Sequence, residues 1–147
     1  MKRTEENCFK KVCEFLSLQK VVYIATTDEK GKPHLAVTKA PSIKENNILI
    51  FEEWLCPATV RNLKVNPHIT VAAMDRETSR GYQAVGEVQE VRESSMMLDG
   101  YAGGELEEKF AGIPQFQWSL TVKISAAMDF SSAFHTDRPI TQLMEEK

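Results

Sequence analysis

Between Val21 and Val91 the chain is a series of short β-type runs separated by tight turns, with one short helix start set among them. That alternation constrains the fold more than any other feature. Val21 to Thr27 is rich in β-branched residues and mostly apolar, so it reads as a buried strand. Asp28-Glu29-Lys30-Gly31 is a polar turn in which Gly can take a positive φ. His34 to Lys39 is the return strand of a hairpin, and Pro41 ends it because Pro donates no ladder hydrogen bond. Asn46-Asn47 marks a second turn. Ile48 to Phe51, His68 to Met74, Tyr82 to Val91 and Ser119 to Met128 read as further strands. Six closely spaced strands with hairpin turns predict a mainly β chain, a small six-stranded antiparallel barrel, closed or split, with short flanking helices. Closure removes the exposed sheet edges.

Helical spacing is confined to short segments. Phe9, Val12, Cys13 and Leu16 fall on one face of a helix from Asn7 to Leu18, with Lys10, Lys11 and Glu14 on the wet side. A second helix, Pro57 to Val65, opens with Cys56-Pro57-Ala58-Thr59 and closes at Asn66-Pro67. Its first N–H groups lack intrahelical partners and its dipole favours negative charge, so its start suits an anion. Glu93 to Tyr101 and Ile140 to Glu146 suit short or frayed helices, and Gly103-Gly104 and Gly112-Ile113-Pro114 suit turns. No repeat or linker interrupts residues 1–147, which predicts a single domain.

Composition excludes more than it assigns. Lys plus Arg number 18 against 21 for Asp plus Glu, a net charge of −3 that gives no sign of nucleic-acid binding. No apolar run approaches the roughly 20 residues of a membrane span. MKRTEENCFKK has no apolar signal core, which leads to an expectation of a cytoplasmic protein. The three cysteines, Cys8, Cys13 and Cys56, fit a reducing compartment and have no metal-ligand spacing. His34, His68 and His135 lie far apart, so no metal site is expected, and His34 reads as structural. GxGxxG, GxSxG, P-loop and paired-carboxylate patterns are all missing.

Two motifs carry a resemblance. Ala25 to His34 has the pattern ATxDxxGxPH, and Thr59-x-x-Asn62-Leu63-x-x-Asn66-Pro67 leads directly into a strand. With the N-terminal helix and the strand ending at Phe51, the order resembles the pyridoxamine 5′-phosphate oxidase-like FMN-binding split barrels, the small FMN-binding proteins above all. The resemblance implies a six-stranded split barrel that forms a homodimer with FMN in grooves between subunits. Val37, Thr38 and Lys39 match the strand beside the isoalloxazine ring, their backbone groups meeting its polar edge. Thr59 matches a phosphate contact, and Asn62 a position that steadies the helix or reaches the ribityl chain. Ala58 stands where relatives often carry Lys, so Arg61 or Lys39 is left to supply the phosphate's cation. Trp118 is a further candidate beside the flavin edge.

The same residues have plainer readings. Thr59 suits a first-turn cap, Asn62-Leu63 suits packing of the helix, Lys39 suits a solvated strand position, and Trp54 and Trp118 suit core or interface. Three functions stay open: an FMN-dependent oxidoreductase, a non-enzymatic flavin-binding carrier or sensor, and a split barrel holding another ligand such as deazaflavin, pyridoxal phosphate or haem. Arg138 is the one candidate cation near the C-terminus, too little for the pyridoxamine phosphate oxidase reaction, so the substrate is left unassigned.

Overall fold

A computed structural model describes residues 2–45, 47–55, 57–93, 116–132 and 138–140. Its elements in chain order are α1 (Lys2–Ser17), β1 (Val21–Thr27), β2 (Pro33–Lys39), β3 (Ser42–Glu45), β4 (Ile48–Leu55), α2 (Pro57–Val65), β5 (His68–Asp75), β6 (Arg80–Glu93) and β7 (Phe116–Ser131). The strands form one sheet in the order β2-β1-β5-β6-β7-β4-β3, antiparallel throughout. The sheet curls until β2 lies near β4, and this makes the split barrel.

Seven strands replace the six expected. The additional one, β3, is exposed at all four residues, so no alternation of apolar and polar positions announces it. It exists because Ser42 and Ile43 pair with Ile50 and Leu49 of β4. Strands β6 and β7 outrun their expected bounds because they pair with each other from Arg80↔Ser131 to Glu93↔Trp118. Two irregularities break that ladder, at Val85/Gly86 and at Val88/Glu90. Gly86 sits at the first, where a Cβ would collide with the Lys123 carbonyl oxygen. Helix α1 starts earlier than its apolar stripe, at Lys2 rather than Asn7, and α2 keeps its expected bounds. The expected helices at Glu93–Tyr101 and Ile140–Glu146 and the turns at 103–104 and 112–114 lie mainly or wholly outside the described residues.

Strand alternation builds the core. Val22, Ile24, Ile69, Val71, Ala84, Leu120, Val122, Ile124, Leu49 and Phe51 point inward and are buried. Helix α1 adds Val12, Cys13 and Leu16 against β6 and β7, with Phe15 edge-on to Tyr82 at 5.2 Å. Helix α2 adds Val60 and Leu63. The apolar residues of the last strand are spent on the core: Leu120, Val122, Ile124 and Ala127 are all buried. Exposed apolar side chains gather on the opposite face of the sheet, where Val21, Tyr23, Leu35 and Val37 stand on β1 and β2, Met74 on β5 and Phe130 on β7.

Cys13 is fully buried. Burial, with a smaller contribution from the adjacent Glu14 carboxylate, pushes its thiol up from 9.0 to about 11. The folded state therefore favours the neutral thiol. Its contribution is fully present below pH 9 and is lost as pH rises toward about 11. Urea denaturation between pH 8 and pH 11 should show a loss of roughly 2–3 kcal/mol from this source. Cys13→Ala should lose correspondingly less over that range, and equal losses in the two proteins would disprove the assignment.

Candidate functional site

Helix α2 begins at Pro57, whose missing N–H costs nothing in a first turn. Val60 and Leu63 anchor it in the core. Beside them a polar stripe at helical spacing, Thr59, Asn62 and Asn66, joins it to the β1–β2 hairpin. The Asn62 amide donates to Thr26 Oγ1 at 3.1 Å, and the Asn66 amide donates to Thr27 Oγ1 at 2.7 Å. Thr59 Oγ1 lies 3.5 Å from His34 Nδ1. Thr26, Thr59 and Asn62 are buried, so each bond matters more than it would in water. Asn66 Oδ1 also accepts the His68 N–H at 3.2 Å, which carries the stripe into β5.

Between the hairpin turn and α2 lies an open cleft of about 560 Å³. Lys30, Lys32 and His34 line it from the hairpin, and Ala58, Arg61, Asn62 and Val65 from the helix. The turn is held by its own chemistry. Asp28 Oδ1 accepts the N–H groups of Lys30 and Lys32 at 2.9 and 2.8 Å. Gly31 takes φ +80° and donates to the Asp28 carbonyl at 3.1 Å. Asp28 and Glu29 bring carboxylates to the same cleft. Its volume falls in the range of small-molecule sites. Two ammonium groups, a guanidinium, an amide and a helix start form a donor set that fits a phosphate ester.

The expected site residues divide into groups. Ala58, Arg61 and Asn62 line the cleft, while Thr59 is fully buried behind it, against His34. Val37 and Lys39 are exposed on the outer face of β2, and Thr38 points inward at 4% exposure. The Thr38 hydroxyl has no hydrogen-bond partner among the described residues. Lys39 lies five residues beyond His34 along the strand, roughly 17 Å at 3.3 Å per residue, and does not line the cleft. Trp118 sits on β7, half-buried and outside the cleft lining, with Lys64 Nζ 4.9 Å from its ring centroid. Its indole N–H also has no partner among the described residues. Lys30, Lys32 and His34 were missed as site residues. Their signal was the polar turn itself, which also reads as ordinary solvated punctuation. Among the described residues no cluster of His, Cys, Asp or Glu could hold a metal ion.

The Pyridoxamine 5′-phosphate oxidase family profile matches residues 9–120. No curated protein matches the chain. Among solved structures, HupZ of Group A Streptococcus is similar at 20% identity and a TM-score of 0.60, over 86% of this chain and 96% of that one. A Clostridium acetobutylicum protein related to general stress protein 26 aligns at 16% identity and 0.63, covering 94% and 98%. An FMN-binding protein of Syntrophomonas wolfei aligns at 13% and 0.63, covering 90% and 95%. At these identities the likeness is one of fold.

The polar stripe is open to a direct test. Asn62→Ala leaves the Thr26 hydroxyl buried without its partner and should cost about 1–3 kcal/mol. Adding Thr26→Val should recover part of that loss. Additive losses in a double-mutant cycle by chemical denaturation would mean that the pair is not coupled.

Proposed function

The chain belongs to the pyridoxamine 5′-phosphate oxidase family, and on that footing we propose that it is a single-domain flavoprotein that binds FMN and uses it for electron or hydride transfer. The observation that carries the reading is the placing of α2 against the β1–β2 hairpin, which sets a helix start, Arg61 and an edge strand around one accessible region. As an edge strand of the sheet, β2 has no ladder partner on its outer side among the described residues, so alternate backbone N–H and C=O groups are available to the polar rim of a flavin ring. In this reading Val37, Thr38 and Lys39 meet the ring, while Ala58, Thr59, Arg61 and Asn62 form the phosphate and ribityl end. Trp118 does not line the cleft, and its ring lies beside Lys64 of α2. Bound flavin would supply the redox chemistry, and the chain would supply position and electrostatics.

Absorption spectroscopy of freshly purified protein is the first test, with a flavin spectrum and release of FMN as the expected result. Turnover with NAD(P)H would mark an oxidoreductase, whereas bound flavin without turnover would favour a carrier or sensor. Colourless protein that takes up no FMN would defeat the proposal.

The exposed apolar face on β1, β2, β5 and β7 supports a homodimer, since Leu35 and Val37 are 67% and 54% exposed beside the proposed ring site. A second copy seated there should bury on the order of 1,200 Å² or more. Sedimentation should then show a dimer at micromolar concentration, and Leu35→Glu should shift it toward monomer. A native chain that sediments as a monomer would remove the shared-groove arrangement.

A further inference from the structure

The phosphate end proposed above lacks a cation at the helix start. Position 58 is Ala, and the next residue, Thr59, is buried against His34. The positive charge of the cleft comes from elsewhere: Lys30 and Lys32 on the hairpin turn, and Arg61 one helical turn after Ala58. None of the three has a carboxylate within salt-bridge distance among the described residues. The competing charges are Asp28 and Glu29, and one oxygen of Asp28 is already engaged by two backbone N–H groups. That engagement does a second thing. It fixes Lys30 and Lys32 on the rim of a closed turn, with Gly31 between them at positive φ. Two ammonium groups are thus carried on a short rigid platform facing Arg61 across the cleft.

We propose that Lys30 and Lys32 of the β1–β2 turn, together with Arg61 of α2, grip a phosphate monoester dianion in this cleft, in place of a cation at the helix start. The inference rests on the flavin reading for the identity of the ester, which is either the phosphate of FMN itself or that of a phosphorylated small molecule held beside the flavin. The Ala58 turn contributes helix N–H groups, and the absence of a side chain beyond Cβ leaves the approach to them open. Ammonium and guanidinium groups suit the two roles, the lysines as adjustable point charges and the arginine as a planar fork.

The test uses the full chain and the double variant Lys30→Gln/Lys32→Gln, with Lys44→Gln on β3 as a charge control outside the cleft. Each is titrated with FMN, riboflavin, pyridoxal 5′-phosphate and pyridoxal, and melting temperatures confirm that all are folded. If the grip holds the FMN phosphate, native protein binds FMN at least tenfold more tightly than riboflavin. The double variant then loses about tenfold for FMN and nothing for riboflavin, and the control is unchanged. If it holds a second molecule, the two flavins bind equally and the loss falls on pyridoxal 5′-phosphate alone. Flavin binding with no phosphate ligand weakened in the double variant would overturn the grip and leave the flavoprotein reading standing. Failure of both flavins to bind would overturn the flavoprotein reading. The grip would then stand if pyridoxal 5′-phosphate binds native protein and is weakened in the variant, and would fall otherwise.

Discussion

The buried hydrogen bond from Asn62 to Thr26 is the constraint on which the rest of the site depends. An apolar helix face can slide and rotate over a barrel at little cost, because dispersion and burial are not directional. An amide and a hydroxyl placed inside the protein allow no such freedom: each loses its water and must regain a partner at one distance and angle. The bond from Asn66 to Thr27 and the approach of Thr59 to His34 repeat that demand at neighbouring positions. Together they set the azimuth and depth of α2. The cleft, the position of Arg61 relative to the hairpin turn and the opening beside Ala58 all follow from that setting.

Much of the fold could be read from sequence because its signals are local. The β-branched run at Val21–Thr27, the turn at Asp28–Gly31 and the bounds of α2 each follow from a few adjacent residues, and the structure retains them. What could not be read depends on partners far away in the chain. Strand β3 has no pattern of its own and is made by β4. The lengths of β6 and β7 come from pairing with each other, and Gly86 matters only because a distant carbonyl occupies the space a Cβ would need.

The site shows the same division with an added ambiguity. The motif from Thr59 to Asn66 marked a helix that lines the cleft, but two of its polar residues, Asn62 and Asn66, hold that helix to β1. A residue type that suits a ligand suits an internal tie equally well, and only burial and partner separate the two. Lys30 and Lys32 present the reverse case. Their charges looked like ordinary turn solvation until the helix brought Arg61 and Ala58 to the other side of the same space.

Strand order has a consequence for how such a chain is made. Among the described residues β7 is the last strand in sequence, yet it occupies an interior place in the sheet, with β6 on one side and β4 on the other. Among the described residues the segment β2-β1-β5-β6 and the segment β4-β3 share ladder hydrogen bonds through it, and β2 also lies near β4. Until residues 116–131 are made, β6 and β4 therefore lack the strand that pairs with both of them. Bridging them waits on residues 116–131, and the long loop closures involved make that step slow as well as late. A nascent chain in this interval presents unpaired strands and an open apolar interior, the state in which partial folds associate with one another. Translation stalled or terminated before Phe116 would leave β6 and β4 without the strand that joins their ladders.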